Sequence, residues 1–198
     1  SPDGVLHFVS DRSGWWNLYR LLDGPRLEPL APMDAEFAEP SWTLDRASFG
    51  FLADGSILAA ARSGGRDRLY HVRPGEAVGE LASEFTEVGT IRVGTGTIVA
   101  IAASATEPAV VAALDPITLG PAGVLRRSSP VTIEAELVAV AEPVAFPTSG
   151  RRTAHALFFP PTNPAFTAPD GERAPLVVLS HGGPTANASS SLDLGIQL

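Results

Sequence analysis

"DGVLHFVSDRSGWWNLYRL", Asp3 to Leu21, returns fifty-one positions later as "DGSILAAARSGGRDRLYHV", Asp54 to Val72. Aligned without a gap, the two stretches share Asp-Gly, an apolar run, a central glycine and Leu-Tyr near the end. Each part has a physical role. Asp-Gly supplies a turn that favours positive φ, the apolar run forms a strand, the polar glycine-containing stretch reverses it, and Leu-Tyr begins the return strand. A weaker third copy, "GTIVAIAASATEPAVVAAL" (Gly96 to Leu114), starts forty-one positions after Gly55 and lacks the aspartate and the tyrosine.

The stretch "AEPSWTLDRASFGFLADG" (Ala38 to Gly55) predicts a linking strand at Ala47 to Leu52, with Trp42 just ahead of it. A strand pair plus a linking strand, recurring every 40 to 50 residues or so, is the pattern of β-propeller blades. The rival is a β-sandwich, which needs no sequence repeat. Because a closed propeller takes about four to eight blades, three copies predict further blades ahead of Ser1. The opening Ser1-Pro2-Asp3-Gly4 has neither an initiator methionine nor the basic and apolar regions of a signal peptide. The chain is therefore expected to be a segment of a longer polypeptide.

Past about Pro130 the texture changes. "GRRTAHALFFPPTNPAFTAPDGERAPLVVLSHGGP" is rich in proline, and predicts strands at Ala154 to Phe159 and Leu176 to Leu179 with an exposed loop, Pro160 to Pro175, between them. A domain boundary is expected near residue 135, with residues 1–135 in the repeat region and 136–198 opening a second domain.

Composition narrows the function classes. Hydrophobic residues make up 44% and charged residues 18% of the 198 residues, as in folded globular chains. No apolar run approaches the roughly 20 residues of a membrane span. The net charge is −8, and all 14 basic residues are arginines without extended clusters, so nucleic-acid binding is disfavoured. There is no cysteine, which excludes disulfides, thiolate catalysis and cysteine-held metals. That absence fits a reducing compartment, and a cytoplasmic location is expected. No metal or organic cofactor is implied, and homo-oligomerisation is left open.

The strongest chemical signal is "PLVVLSHGGP", Pro175 to Pro184. Four apolar residues without alternation suggest a strand buried on both faces. Ser180-His181-Gly182-Gly183-Pro184 would form the loop at its end, where glycines let the backbone approach a ligand closely. In α/β-hydrolases this loop lends an N–H to the oxyanion hole. Gly-Gly and Gly-Pro are also ordinary turn dipeptides, so the motif alone does not decide.

Taken as a set, the motifs resemble the prolyl oligopeptidase family of serine peptidases, in the branch of acylaminoacyl peptidases and dipeptidyl aminopeptidases. "SDRSGWWNLYRL" resembles a hairpin of that family's propeller and "EPSWTLD" its Pro-Ser-Trp blade entry. "FPTSGRRTAHALFFPPTNP" resembles the strand pair opening the peptidase domain, and "PLVVLSHGGPTANASSSLDLGIQL" its third strand and oxyanion loop. The implied fold is mainly β, a partial β-propeller of about three blades followed by the first strands of an α/β-hydrolase domain. The implied function is hydrolysis of short peptides or aminoacyl amides, with the propeller restricting access. His181, Gly182 and Gly183 match the oxyanion loop; His181 is not the triad histidine. No Gly-x-Ser-x-Gly occurs, and the family's nucleophile, acid and histidine follow the oxyanion loop in chain order, so the triad is expected beyond Leu198 and the segment alone is expected to be inactive. The rival function is a non-catalytic propeller interaction module.

The remaining polar residues have ordinary explanations. Ser189, Ser190 and Ser191 are expected to cap a helix or form a solvated turn. His7, His71 and His155 lie in strand patterns without ligand spacing. Trp15-Trp16 is expected to pack a blade. Glu36, Glu39, Glu84 and Glu87 are noted because family aminopeptidases use propeller acids to bind the substrate amino group, but one sequence selects none of them.

Overall fold

A computed structural model describes residues 1–197 except Ser41, Thr43, Asp45 and Pro184, so the Pro-Ser-Trp entry and the end of the His-Gly-Gly-Pro motif are described only in part. Three antiparallel sheets follow one another along the chain. The first contains β1 (Leu6–Ser10), β2 (Asn17–Leu21) and β3 (Leu27–Pro29). The second contains β4 (Phe49–Phe51), β5 (Ile57–Ser63), β6 (Arg66–Val72) and β7 (Gly79–Leu81). The third contains β8 (Phe85–Gly94), β9 (Thr97–Ser104), β10 (Val110–Leu114) and β11 (Pro121–Arg127). Within each sheet, strands neighbouring in sequence are neighbours in space.

The repeat is a repeat of register. Leu6 pairs with Leu21, and fifty-one positions on, Ile57 pairs with Val72. In the third copy Ile98 pairs with Leu114, one residue farther around the hairpin. The turn glycines Gly4, Gly55 and Gly96 all have positive φ, at 80°, 81° and 68°. That backbone region is open to glycine at little steric cost, which explains why glycine survives in the third copy when the aspartate does not.

Successive side chains of a strand point to opposite faces, and β5 uses both. Ile57, Ala59 and Ala61 enter a core shared with Leu18, Leu30 and Phe37 of the first unit. Leu58 and Ala60 enter a second core with Ile91, Ile98, Ala100 and Leu114 of the third. The middle sheet is thus sandwiched between its neighbours, as blades are. Alanines keep the sheets close, and at Gly50 a Cβ would come within 2.6 Å of the Val93 side chain on β8. Asn17, fully buried, ties the connection between the first two sheets by accepting from the Met33 N–H and donating to the Met33 and Ala35 carbonyls.

Residues 128–141, with a short 3-10 turn at Ala135–Leu137, lead to a two-stranded ribbon of β12 (Glu142–Thr148) and β13 (Arg152–Phe158). Leu157 of β13 lies against the Gly64-Gly65 turn of the middle sheet, so closely that a Cβ at Gly65 would meet it at 2.9 Å. The segment Leu176 to Leu179 is not a strand, and its side chains are 65–77% exposed. This corrects the expected doubly buried strand. A strand of that kind needs ladder partners on both sides, and among the described residues β12 and β13 pair only with each other. A four-residue helix, α1 (Leu194–Gln197), closes the described chain.

Leu58 is fully buried between two sheets. Leu58→Ala is expected to lower unfolding free energy by about 2–5 kcal/mol in urea titrations. Ile101→Ala, at a site 51% exposed, is expected to stay within about 0.5 kcal/mol.

Candidate functional site

The His181-Gly182-Gly183 loop is exposed, and Gly183 sits at φ 70°. A Cβ built on Gly182 or Gly183 would meet nothing within 4 Å. The loop backbone is therefore free to face an incoming group. Among the described residues no three His, Asp or Glu side chains converge to hold a metal ion.

Just past this loop the chain crosses a cleft of about 690 Å³ whose other walls are the first three sheets and their connections. Trp16, Glu36, Glu39, Arg62, Asp67 and Glu87 line it on that side, and Thr185, Asn187 and Ser189 on the other. Three of the four acids singled out in the sequence therefore meet in one place, although Glu36 and Glu39 lie between the first two sheets and Glu87 on β8 of the third. Glu84 is exposed elsewhere.

The cleft is organised by an ion pair. Asp67, with its side chain 7% exposed, accepts from Arg62 Nε at 2.7 Å and Nη2 at 3.1 Å, and from the Val88 N–H at 2.7 Å. Burial works against the Arg62 charge, but hydrogen bonding and attraction from Asp67, and attraction from Glu39, outweigh it and raise its pKa. Arg62 Nη1 then reaches Glu39 at 3.3 Å. Glu39 also pairs with Arg46 at 2.7 Å. Glu36 accepts the Trp16 N–H at 2.7 Å, while its own backbone bridges that of Arg62.

Two ordinary explanations need correction. Ser189 and Ser191 neither cap the helix nor sit in a solvated turn; both hydroxyls donate to Glu87 Oε2, and Ser190 and Ser191 are buried. Asp193 caps the helix instead, accepting the Gly195 N–H at 2.8 Å. A cap needs a free acceptor beside the first helical N–H groups, and the helix begins too late for the serines to reach them. Trp16 lines the cleft, and neither Trp15 nor Trp16 belongs to the two sheet cores.

Histidines stay in the strands. His7 packs edge-on against Phe51, and His155 is exposed on β13. His71 Nε2 lies 2.8 Å from Ser56 Oγ, a pairing the sequence did not suggest. The Ser56 hydroxyl is directed at Asp54, so the imidazole donates to it. Burial, helped by Arg73, lowers the His71 pKa below its ordinary 6.5. With the serine buried and its proton turned to a carboxylate, this trio fastens a hairpin and activates no nucleophile.

No protein-family model matches the chain, and no curated protein does. Solved structures do. A puromycin hydrolase superposes with a TM-score of 0.87 at 33% identity, covering 100% of this chain and 30% of that one. A puromycin-hydrolyzing peptidase of Mycobacterium tuberculosis superposes at 0.89 and 32% identity, covering 98% of this chain and 30% of that one. Dipeptidyl peptidase 4 of Porphyromonas gingivalis shares the fold alone, at 0.56 and 14% identity over 82% of this chain and 23% of that one. The chain spans about 30% of the length of the puromycin-hydrolysing proteins.

Asp67→Ala would leave Arg62 and the Val88 N–H without their shared acceptor. Breaking a buried pair in this way is expected to cost about 3–5 kcal/mol in chemical denaturation. A loss no larger than that of an exposed Arg46→Ala control would show that the pair does not organise the cleft.

Proposed function

Because the chain belongs to the prolyl oligopeptidase family, alongside the puromycin hydrolases, we propose that it forms part of a serine peptidase hydrolysing short peptides or aminoacyl amides. Puromycin is itself an aminoacyl amide, which supports that substrate class. Residues 1–135 are the C-terminal part of the propeller that restricts access, and residues 136–198 open the peptidase domain.

The single observation carrying this reading is the junction of an open His181-Gly183 loop with a segment laid along an acid-lined cleft. A serine outside these residues attacks the amide carbonyl, and the electron pair moves onto the carbonyl oxygen. Backbone N–H donors of the loop stabilise that developing charge. A general base takes the serine proton and delivers it to the nitrogen, collapse expels the amine, and water releases the acyl group from the serine. The acidic cleft suits a substrate with a free α-amino group. Glu39 and Glu87 are engaged by Arg62, Asn187 and the serines; Glu36, among the described residues, has no cationic or hydroxyl partner, and is the carboxylate assigned to the amine.

The test uses the full-length polypeptide that carries this chain. Gly183→Val puts a β-branched residue where the backbone needs positive φ, without crowding a neighbour. It is expected to lower kcat on aminoacyl p-nitroanilides by about 10²–10³-fold with KM little changed, the scale of losing an oxyanion donor. An unchanged kcat would remove the loop from the mechanism.

A further inference from the structure

From Thr185 to Ser191 the chain meets the repeat region with every second side chain. Thr185 Oγ1 accepts the Trp42 indole N–H at 2.9 Å. Asn187 Oδ1 accepts from Arg62 Nη1, and its amide nitrogen donates to Glu39 Oε1 at 3.2 Å. Ser189 and Ser191 donate to one oxygen of Glu87, Ser191 at 3.0 Å. A period of two is that of an extended chain presenting one face. Of the intervening residues, Ala186 and Ala188 carry nothing polar, and the buried Ser190 hydroxyl has no hydrogen-bond partner among the described residues. Beyond them the Leu192 N–H donates to the Ser104 carbonyl at 2.9 Å, ending the crossing on β9.

Asn187 differs from the other three residues because both ends of its amide meet charged groups. Arg62, Glu39 and Asn187 close a ring in which each member bonds to the other two. Hydrogen bonds to charged groups are stronger than neutral ones, and Arg62 is itself held by the buried Asp67. Three residues separate Asn187 from Gly183. We infer that Asn187 is a positioning residue: the Arg62–Glu39 pair of the propeller, acting through it, fixes where the His181-Gly183 loop stands. The inference rests on the oxyanion reading of that loop. It gives the propeller a second task besides filtering, since the catalytic loop is then aligned only while the propeller holds it.

The experiment measures kcat, KM and Tm of the full-length polypeptide with Asn187→Ala, with Asn187→Asp, and with Asn187→Asp combined with Glu39→Gln. Asn187→Ala is expected to lower kcat by about tenfold or more, as misplacement of a reacting group does, with KM and Tm unchanged. Asn187→Asp sets two carboxylates together and is expected to lower kcat as much. The combined variant restores the ring with donor and acceptor exchanged, since a carboxylate at 187 still accepts from Arg62 and an amide at 39 donates to it. It is expected to return kcat to within about threefold of the parent, the sign of direct coupling. Selective loss of kcat with that rescue supports the inference. An unchanged kcat in Asn187→Ala, beside a lowered kcat in Gly183→Val, overturns it and leaves the oxyanion reading standing. An unchanged kcat in Gly183→Val removes the oxyanion reading and this inference with it. A fall in Tm without rescue by the combined variant reduces Asn187 to a structural contact and also overturns it.

Discussion

Asp67 is a buried carboxylate on β6 that takes three donors, two from Arg62 on the paired strand and one from the backbone of Val88 on the next sheet. Burying that charge is costly unless it is paired and hydrogen-bonded. The geometry that satisfies it has wide consequences. It fixes the spacing of the second and third sheets, holds the Arg62 guanidinium rigid, and leaves Nη1 of that guanidinium to reach Glu39 and Asn187. One buried group thus links sheet packing to the chain that follows the His-Gly-Gly-Pro motif.

The sheets tolerate this arrangement because the middle one is thin. Ala59, Ala60 and Ala61 alternate between two cores, and the larger Ile57 and Leu58 seal one end of each. The leucine of each Leu-Tyr pair points toward the following sheet, Leu18 into the first core and Leu69 into the second. The same local rule, applied twice, stacks the units in one direction. The far ends of the sheets then frame a cleft with acids on the repeat side and amide and hydroxyl groups on the other.

Much of the fold was legible because register is a local property. Turn glycines, apolar runs and Leu-Tyr pairs placed the hairpins, and the pairings of Leu6 with Leu21 and Ile57 with Val72 follow that spacing. The cleft was far less legible, since it depends on contacts between residues far apart in the chain, such as Ser189 with Glu87. Yet a signal was present. Where the first copy has Asp11 and Trp16, the second has Arg62 and Asp67, and these departures from the repeat contribute Trp16, Arg62 and Asp67 to the cleft walls. The strand expected at Leu176 to Leu179 failed for the opposite reason. Its apolar run states a preference for burial, but ladder partners are a property of the surrounding sheet and no local pattern records them.

We propose that these 198 residues work as the propeller end and oxyanion loop of a larger serine peptidase. The most direct measurement is the intact mass of the native polypeptide, taken together with its labelling by a fluorophosphonate, which reacts with activated serines. A polypeptide several times the 20.6 kDa of this chain that takes up the label is expected. A native product near 20.6 kDa that stays unlabelled would contradict it and favour a non-catalytic propeller module.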